Sequence, residues 1–210
     1  MPVSSGKHTR RGSIQGGRIP PELCHDFMNQ GFRRSGMYFY RPVCADCSEC
    51  RPIRINADEF RLSRSRRRVL RQNQDVNVRI GPPKFTKEKF KIYSDYLTTQ
   101  HGCGPELSAS NLKRFLYTSP VHTLELEYWL RRHLLAVGIV DICSRSLSSV
   151  YVFYDPDFCS RSLGTFSASI LNRASHTTRP LVSSQIINPV ICFFPSASNL
   201  GLQCSVAFRM

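Results

Sequence analysis

The clearest helical pattern in the chain lies between residues 85 and 100. Apolar residues recur there at helical spacing with lysines between them, which predicts an amphipathic helix. These residues are Phe85, Phe90, Tyr93 and Leu97. The segment HGCGP ends this helix, and a second short helix is predicted over SASNLKRFLYT. An earlier helix is expected over PELCHDFMNQGF, between Pro21 and Gly31.

Other segments carry the aromatic and β-branched residues typical of strands. MYFYRPV and RPIRINADEFRL lie in the first third, and HTLELEYWL, HLLAVGIVDIC and LSSVYVFYD follow the helices. Short connections join the last three, which favours antiparallel pairing. The mixture predicts an α+β fold in two parts, with a boundary at the GPP break of residues 81–83.

Changes in composition refine this division into four segments. Residues 1–20 are expected to be a flexible basic tail, and residues 21–82 a small β-rich domain with a cysteine cluster and an arginine-rich stretch. Residues 83–167 are expected to form a second domain. Residues 168–210 are rich in serine, contain no acidic residue and lack helical periodicity, which predicts irregular or disordered structure.

Charge changes the picture by indicating a polyanionic partner. Lys and Arg number 29 against 15 acidic residues, for a formal net charge of +14. The stretch 51–72 holds eight arginines against only Asp58 and Glu59. Arginine binds phosphate through a bidentate fork, so this stretch favours a nucleic-acid contact over a merely solvated surface. Charge alone does not distinguish RNA from DNA.

The segment RPVCADCSECRPIRI places three cysteines at C-x2-C spacing. Cys44, Cys47 and Cys50 are candidate ligands for zinc or an iron–sulfur cluster. Cys24 and Cys103 are the distant candidates for a fourth ligand. Two alternatives stay open, namely a disulfide between Cys44 and Cys47 and three small residues in a tight turn.

Two absences predict a cytoplasmic location. The longest apolar runs are far shorter than a membrane span, and the N-terminus has no apolar signal-peptide core. In a reducing compartment, the nine cysteines are expected to be ligands or core residues rather than bridges. No membrane association is predicted, and the protein is expected to be a monomer.

Three long blocks, in order, resemble the aminoacyl-tRNA–protein transferases, with the bacterial aspartate/glutamate leucyltransferase branch closest. The blocks are GFRRSGMYFYRPVCADCSECRPIRI, FRLSRSRRRVLRQNQD and LLAVGIVDICSRSLSSVYVFYDPDFCSRSLGTFS. The resemblance covers roughly residues 21–167. It implies transfer of leucine from leucyl-tRNA to proteins with N-terminal Asp or Glu, which marks them for N-degron degradation. Eukaryotic relatives transfer arginine, and that alternative stays open.

The resemblance also implies site residues and a fold. Aminolysis of the activated ester requires no covalent intermediate and no cofactor. The expected tRNA-binding residues are Arg33, Arg34, Arg64, Arg66, Arg67, Arg68 and Arg71. The second domain resembles the GNAT acyltransferase fold, and the catalytic candidates at its strand–turn–helix junction are Tyr154, Asp155, Gly164 and Thr165. The alternative for this junction is a purely structural turn with a capping residue.

Two departures from the family pattern carry expectations of their own. The N-terminal region lacks the family's additional cysteine segment, and the sequence after SLGTFS differs from the family pattern. A frameshifted or truncated reading frame explains this difference, and a diverged tail is the alternative. An incomplete acyltransferase core is therefore expected, with little transferase activity and with Val150, Val152 and Phe153 more exposed than in a central strand.

A competing hypothesis from another class is a non-enzymatic RNA-binding module with a zinc knuckle. Composition alone favours it, whereas the block LSSVYVFYDPDFCSRSLGT favours the transferase because a binding knuckle does not need it. Transfer of labelled leucine from charged tRNA to a peptide starting with Asp distinguishes the two hypotheses.

Overall fold

The computed structural model describes residues 10–15, 17–43, 53–101, 107–177 and 185–188. The strands in these ranges are β1 (Arg10–Gln15), β2 (Arg33–Ser35), β3 (Tyr38–Val43), β4 (Ile53–Asn56), β5 (Asn77–Gly81), β6 (Thr123–Leu130), β7 (His133–Ile142), β8 (Ser146–Tyr154) and β9 (Gln185–Asn188). The α-helices are α1 (Pro21–Asn29), α2 (Arg64–Gln72), α3 (Lys87–His101), α4 (Ala109–Leu116) and α5 (Leu163–Thr177). The predicted mixture of helices and strands is confirmed.

Two sheets organise these elements. A three-stranded sheet has the order β1-β3-β2, and a six-stranded sheet has the order β4-β9-β8-β7-β6-β5. The predicted antiparallel pairing of the three long strands is confirmed, because β6 pairs with β7 and β7 with β8 in that sense. Strand β9 runs parallel to β8 over only three residue pairs, from Ser146–Gln185 to Ser148–Ile187.

Strand β7 is buried on both faces, which explains its unbroken apolar sequence. Helices α3 and α4 cover one face of the large sheet, where Tyr93 packs against Phe153 with ring centroids 5.3 Å apart. Helices α2 and α5 supply apolar side chains to the opposite face, where Phe166 packs against Tyr128. The arginine-rich helix α2 lies on this second face.

The predicted helices over residues 21–31, 85–100 and 108–118 are confirmed as α1, α3 and α4, with ends that differ by at most two residues. The tail differs from its prediction. Helix α5 continues to Thr177, well past Ser167, because Phe166, Ile170 and Leu171 recur at helical spacing and pack onto the sheet. Strand β9 then pairs with both β8 and β4.

The expected exposure of the β8 strand is wrong for two of its three residues. Val150 is 8% exposed and Phe153 is fully buried, because α3 covers this face of β8, while Val152 is half-buried.

The expectation that the thiols do not form bridges is also wrong for one pair. Cys24 of α1 and Cys143 form a disulfide, and their Cα atoms lie 5.4 Å apart, within the usual bridging range.

No helix in the described ranges is both long enough and apolar enough to cross a membrane.

Candidate nucleic-acid interface and acyl-transfer site

Helix α2 forms within the arginine-rich stretch because its ends are capped and one side of it is apolar. The Ser63 side chain accepts a hydrogen bond from the backbone N–H of Arg66 at 3.3 Å, which satisfies a free donor of the first turn. Val69 and Leu70 pack against the buried cluster that includes Phe166. The arginines of α2 lie on the rest of the helix surface.

Four of these arginines form one stripe along α2. Arg64, Arg67, Arg68 and Arg71 are spaced i, i+3, i+4 and i+7, so they share one helix face, and all four are exposed. Within the described ranges, no carboxylate forms an ion pair with any of them. Like charges at this spacing repel one another, so an anion that neutralises them is favoured.

The other three predicted tRNA-binding arginines differ from this stripe. Arg66 is half-buried, and its guanidinium lies over the Phe60 ring at 5.1 Å. Arg34 is only 4% exposed and is ion-paired with Asp141, so its predicted contact with RNA is wrong. Arg33 is half-buried on β2, and its Nε and Nη2 atoms have no hydrogen-bond partner among the described residues.

Hydrogen bonds tie the C-terminal end of α2 to the turn between β8 and α5. The buried Asn73 side chain donates from Nδ2 to the Arg161 carbonyl oxygen at 2.8 Å and to the Val69 carbonyl oxygen at 2.9 Å. The Arg161 guanidinium binds the Asp75 carboxylate with both terminal nitrogens, at 2.8 and 3.0 Å. This pair lowers the pKa of Asp75, chiefly through the hydrogen bond from Arg161. The arginine stripe is therefore held beside the predicted catalytic junction.

The junction begins with Tyr154 and Asp155 at the end of β8. The Tyr154 ring packs edge-on against Tyr96 at 4.8 Å between centroids, and burial raises the pKa of its hydroxyl. Asp155 has two partners. Its Oδ1 accepts from the backbone N–H of Asp157 at 3.0 Å and so caps the 3-10 helix Pro156–Arg161, while its Oδ2 lies 2.8 Å from Nε2 of His133.

His133 is a candidate that sequence reasoning missed. It begins β7, and its imidazole stacks beside the Phe158 ring with centroids 4.9 Å apart. Its side chain is 52% exposed, so the ring is open to a substrate as well as bonded to Asp155. A histidine oriented by a carboxylate is a common arrangement for accepting a proton. The signal in the sequence is only a lone histidine between two strands.

Gly164 and Thr165 lie in the first turn of α5 and are half-buried. Ser162, just before this helix, has a left-handed backbone with φ of 53°, which turns the chain sharply from the 3-10 helix into α5. Asn73 and Arg161 thus join the C-terminal end of α2 to the turn before α5, while Tyr154 packs on α3 at the other face of the sheet.

The predicted metal ligands Cys44, Cys47 and Cys50 lie outside the described residues, as does Cys103. Cys24 is bonded to Cys143, which removes it as a free fourth ligand. Within the described part of the chain, no group of three or more His, Cys, Asp or Glu side chains could hold a metal ion.

Two protein-family models match this chain. The one described as "Arginine-tRNA-protein transferase, N terminus" matches residues 4–68. The one described as "Arginine-tRNA-protein transferase, C terminus" matches residues 88–183. The matches begin before residue 21 and end after residue 167. The family pattern therefore continues beyond Ser167, and the prediction that it ends there is wrong.

Curated relatives carry a related name. The aspartate/glutamate leucyltransferase of Pseudomonas putida strain GB-1 is 40% identical over 144 residues, which are 68% of this chain and 61% of that protein. The protein of the same name from Pseudomonas syringae pv. tomato strain DC3000 is 37% identical over 156 residues, which are 73% of this chain and 66% of that protein. The chain therefore spans less than two thirds of the length of these relatives.

A solved structure with little sequence identity resembles the fold. It is the C-terminal domain of an Agrobacterium fabrum protein named as a lysylphosphatidylglycerol synthetase, with a TM-score of 0.51 and 10% sequence identity. The likeness covers 84% of this chain and 53% of that one, and it concerns the fold alone.

Proposed function

Because the chain belongs to the arginine-tRNA-protein transferase family, we propose that it transfers leucine from leucyl-tRNA to the N-terminal Asp or Glu of acceptor proteins. Such a transfer would mark the acceptors for N-degron degradation in the cytoplasm, with the enzyme acting as a monomer. The observation that carries the proposal is the α2 arginine stripe, held by Asn73 and Arg161 beside the β8–α5 junction. RNA and reacting groups would then lie close to one another at the junction.

The reaction needs few groups from the protein. The acceptor's α-amino nitrogen attacks the ester carbonyl carbon of the aminoacyl-tRNA, and an amide bond forms as the bond to the tRNA's terminal oxygen breaks. The amine loses one proton, and the departing oxygen gains one. The enzyme supplies alignment, a proton acceptor and stabilisation of the developing oxyanion.

We assign the proton acceptor to His133. Its Nε2 lies 2.8 Å from Oδ2 of Asp155, so a proton taken up by the imidazole would be stabilised by the carboxylate. Gly164 and Thr165 begin α5, whose first backbone N–H groups are suited to an oxyanion. Tyr154 would serve as a wall of the site through its packing on Tyr96 rather than as an acid.

Selection of an acidic acceptor requires a cation in a pocket, because a guanidinium binds a carboxylate by charge-assisted hydrogen bonds. A cavity of about 500 Å³ lies beside the α4–β6 connection and is lined by Arg18, Tyr117, Thr123 and His122 among others. Thr123 and Leu130 lie at opposite ends of β6, and Leu130 pairs with His133, so this cavity lies about 23 Å along the strand from the proton acceptor and is too distant to hold the side chain of the same acceptor residue.

We further propose that β6 to β9 form a GNAT-type core. In support, β8 and β9 are parallel, are joined through α5, and pair over only three residues, so the strands diverge next to the junction. The proposed boundary near residues 82 and 83 lies between the two family matches, which end at residue 68 and resume at residue 88. Residues 21–82 would then be the N-terminal part that carries the cysteine cluster, although its strands β4 and β5 join the six-stranded sheet of the second part.

The cysteine cluster is proposed as a structural site rather than a source of chemistry. Cys44, Cys47 and Cys50 supply three thiols at a spacing suited to zinc or an iron–sulfur cluster. Aminolysis itself needs no metal. The ion would stabilise the segment of the chain that carries the three cysteines.

The deciding experiment is transfer of labelled leucine from leucyl-tRNA to peptides that start with Asp, Glu or Ala. The proposal requires labelling of the first two peptides and not of the third. A parallel reaction with arginyl-tRNA tests the arginyl alternative, which the names of the two family models favour. RNA binding without transfer of either amino acid would instead support the non-enzymatic module or an inactive transferase.

A further inference from the structure

The turn between β6 and β7 consists of Arg131 and Arg132, which come directly before His133. Leu130 and His133 pair across this turn, so the two arginines form its tip, and both are exposed. One peptide bond separates Arg132 from His133, which places their Cα atoms about 3.8 Å apart. Two cations therefore border the imidazole that we assign as the proton acceptor.

The backbone of Arg131 lies in the left-handed region, with φ of 56°. Glycine, asparagine and aspartate occupy this position of a tight hairpin with the least strain. A residue with a longer side chain persists there only where the surrounding structure favours it, and such residues are concentrated at functional sites. The turn thus presents a long cationic side chain at a position that its own backbone disfavours.

The carboxylate of Asp75, which lies within electrostatic range of Arg131, is already bound. Its pKa is lowered chiefly by the hydrogen bond from Arg161 and more weakly by the charge of Arg131. Both of its oxygens accept from the Arg161 guanidinium, at 2.8 and 3.0 Å. Across the described ranges, neither Arg131 nor Arg132 forms an ion pair. Both guanidinium groups are therefore available to a carboxylate from another molecule.

Negative charges lie beside His133 in the other direction. In the sheet, β7 lies between β6 and β8. The arginine turn adjoins His133 from the β6 side, whereas Asp155 and Asp157 follow the end of β8. Asp155 is bonded to the imidazole at 2.8 Å, and Asp157 is exposed. The surroundings of His133 are thus positive on one side and negative on the other.

An N-terminal Asp or Glu carries the matching pair of charges, because its ammonium group and its side-chain carboxylate are only a few bonds apart. We propose that Arg131 and Arg132 bind the side-chain carboxylate of the acceptor residue, which directs its amine to His133 on the side of Asp155 and Asp157. This inference rests on the proposed function. It assigns the selection of acidic acceptors to a turn beside the proton acceptor rather than to the distant cavity.

The test measures leucyl transfer to three peptides that differ only in their first residue, which is Asp, Glu or Asn. Asparagine has nearly the shape of aspartate without its charge. The variants are R132A, R131N and the double variant R131N/R132A, where asparagine is chosen because it tolerates the left-handed backbone. R145A is the matched control, because Arg145 is an exposed arginine beyond the other end of β7, about 30 Å along the strand. Circular dichroism checks that each variant keeps its fold.

The parent is expected to show a kcat/KM at least about tenfold higher for the Asp peptide than for the Asn peptide, a typical effect of a hydrogen bond between charged groups. The double variant should reduce this ratio to less than about threefold by lowering kcat/KM for the Asp and Glu peptides, and each single variant should reduce it in part. The rate with the Asn peptide and the KM for leucyl-tRNA should stay unchanged. A ratio that survives in R131N/R132A would overturn the proposal, as would an equal loss in R145A.

The proposed function and this assignment can fail separately, because binding of the same peptides is also measured by fluorescence anisotropy. A chain that transfers no leucine refutes the transferase. If that chain still binds the Asp peptide more tightly than the Asn peptide, and the double variant abolishes the difference, the role of the turn is kept. Equal binding of the two peptides would then refute it. A chain that transfers leucine equally well to the Asp and Asn peptides refutes the role of the turn alone.

Discussion

Arg34 of β2 and Asp141 of β7 form an ion pair with 2.7 Å between Nε and Oδ2, and both side chains are entirely excluded from solvent. The Arg34 Nη1 also donates to the carbonyl oxygens of Gly36 and Thr118, at 3.2 and 3.1 Å. The second Asp141 oxygen accepts from the Thr123 hydroxyl at 2.7 Å. This network joins the three-stranded sheet to the six-stranded sheet.

Replacing Arg34 with Met is expected to lower the free energy of unfolding by about 3–5 kcal/mol, because it leaves the Asp141 carboxylate buried without its partner. Urea unfolding measures the change. The double variant R34M/D141L should recover much of the loss, since no unpaired charge then remains. A loss of less than about 1 kcal/mol in R34M would contradict this expectation, because it would mean that the fold tolerates the buried Asp141 carboxylate without its partner.

Charge reversal of Arg64 and Arg68 is expected to weaken tRNA binding and make it less dependent on salt. Fewer phosphates are neutralised, so the slope of log K against log salt should fall by about 1–2 units. Fluorescence anisotropy across a salt series measures both quantities. K91E is the matched control, because Lys91 is an exposed cation on α3, paired with Asp95 and away from the stripe. An equal effect of K91E would assign the binding to overall charge.

Local patterns made much of the fold predictable. The spacing of Phe90, Tyr93 and Leu97 identifies α3, and the continuous apolar sequence of β7 matches its burial on both faces. The arginines of residues 64–71 were recognisable by charge. Their arrangement as one stripe needed the start of α2, which the Ser63 cap fixes.

Contacts between distant residues were not predictable, because no local periodicity encodes them. Arg34 and Asp141 are 107 residues apart, so a residue expected to bind RNA serves in the core. His133 and Asp155 are 22 residues apart and meet only because β7 and β8 are antiparallel neighbours. The helix beyond Ser167 was not predicted, because serines and an asparagine stand between its apolar residues and obscure their helical spacing. Those apolar residues pack against the sheet.

Replacing Cys47 with Ser is expected to lower the metal content of the purified protein. A C-x2-C-x2-C cluster that loses its central thiolate cannot hold zinc or an iron–sulfur cluster with the same affinity. Elemental analysis for zinc and iron measures the change, and C159S is the control because Cys159 is an exposed free cysteine. Equal metal content in C47S and the parent would remove the ligand hypothesis.

Replacing His133 with Ala is expected to reduce kcat for leucyl transfer by about 10²–10⁴-fold, the usual contribution of a general base. The KM for leucyl-tRNA should stay unchanged, because His133 is not part of the arginine stripe. D155N keeps the cap on Asp157 but removes the negative charge beside the imidazole, so it should lower kcat by a smaller factor. Unchanged kcat in H133A would assign the pair to structure alone.

Lowering the pH is expected to destabilise the chain through His25. This buried residue of α1 lies with Nδ1 3.0 Å from the Ser146 hydroxyl oxygen. Burial lowers its pKa, and the positive charges of Arg145 and Arg54 lower it further, while Asp26 opposes them. The folded state therefore disfavours the protonated ring, so stability is fully present above the unfolded pKa of about 6.5 and falls as the pH decreases towards the folded value.

The measurement is urea unfolding of the parent and of H25Q between neutral pH and the lower limit of solubility. One proton contributes a slope of at most about 1.4 kcal/mol per pH unit, and this component should be missing in H25Q because glutamine does not titrate. S146A is a useful companion, since it removes the hydroxyl partner but keeps the imidazole buried and titratable. It should lower stability at every pH while retaining the steep acidic slope. Parallel pH curves for the parent and H25Q would mean that the protonated imidazole is tolerated at this site and that acid stability is set elsewhere.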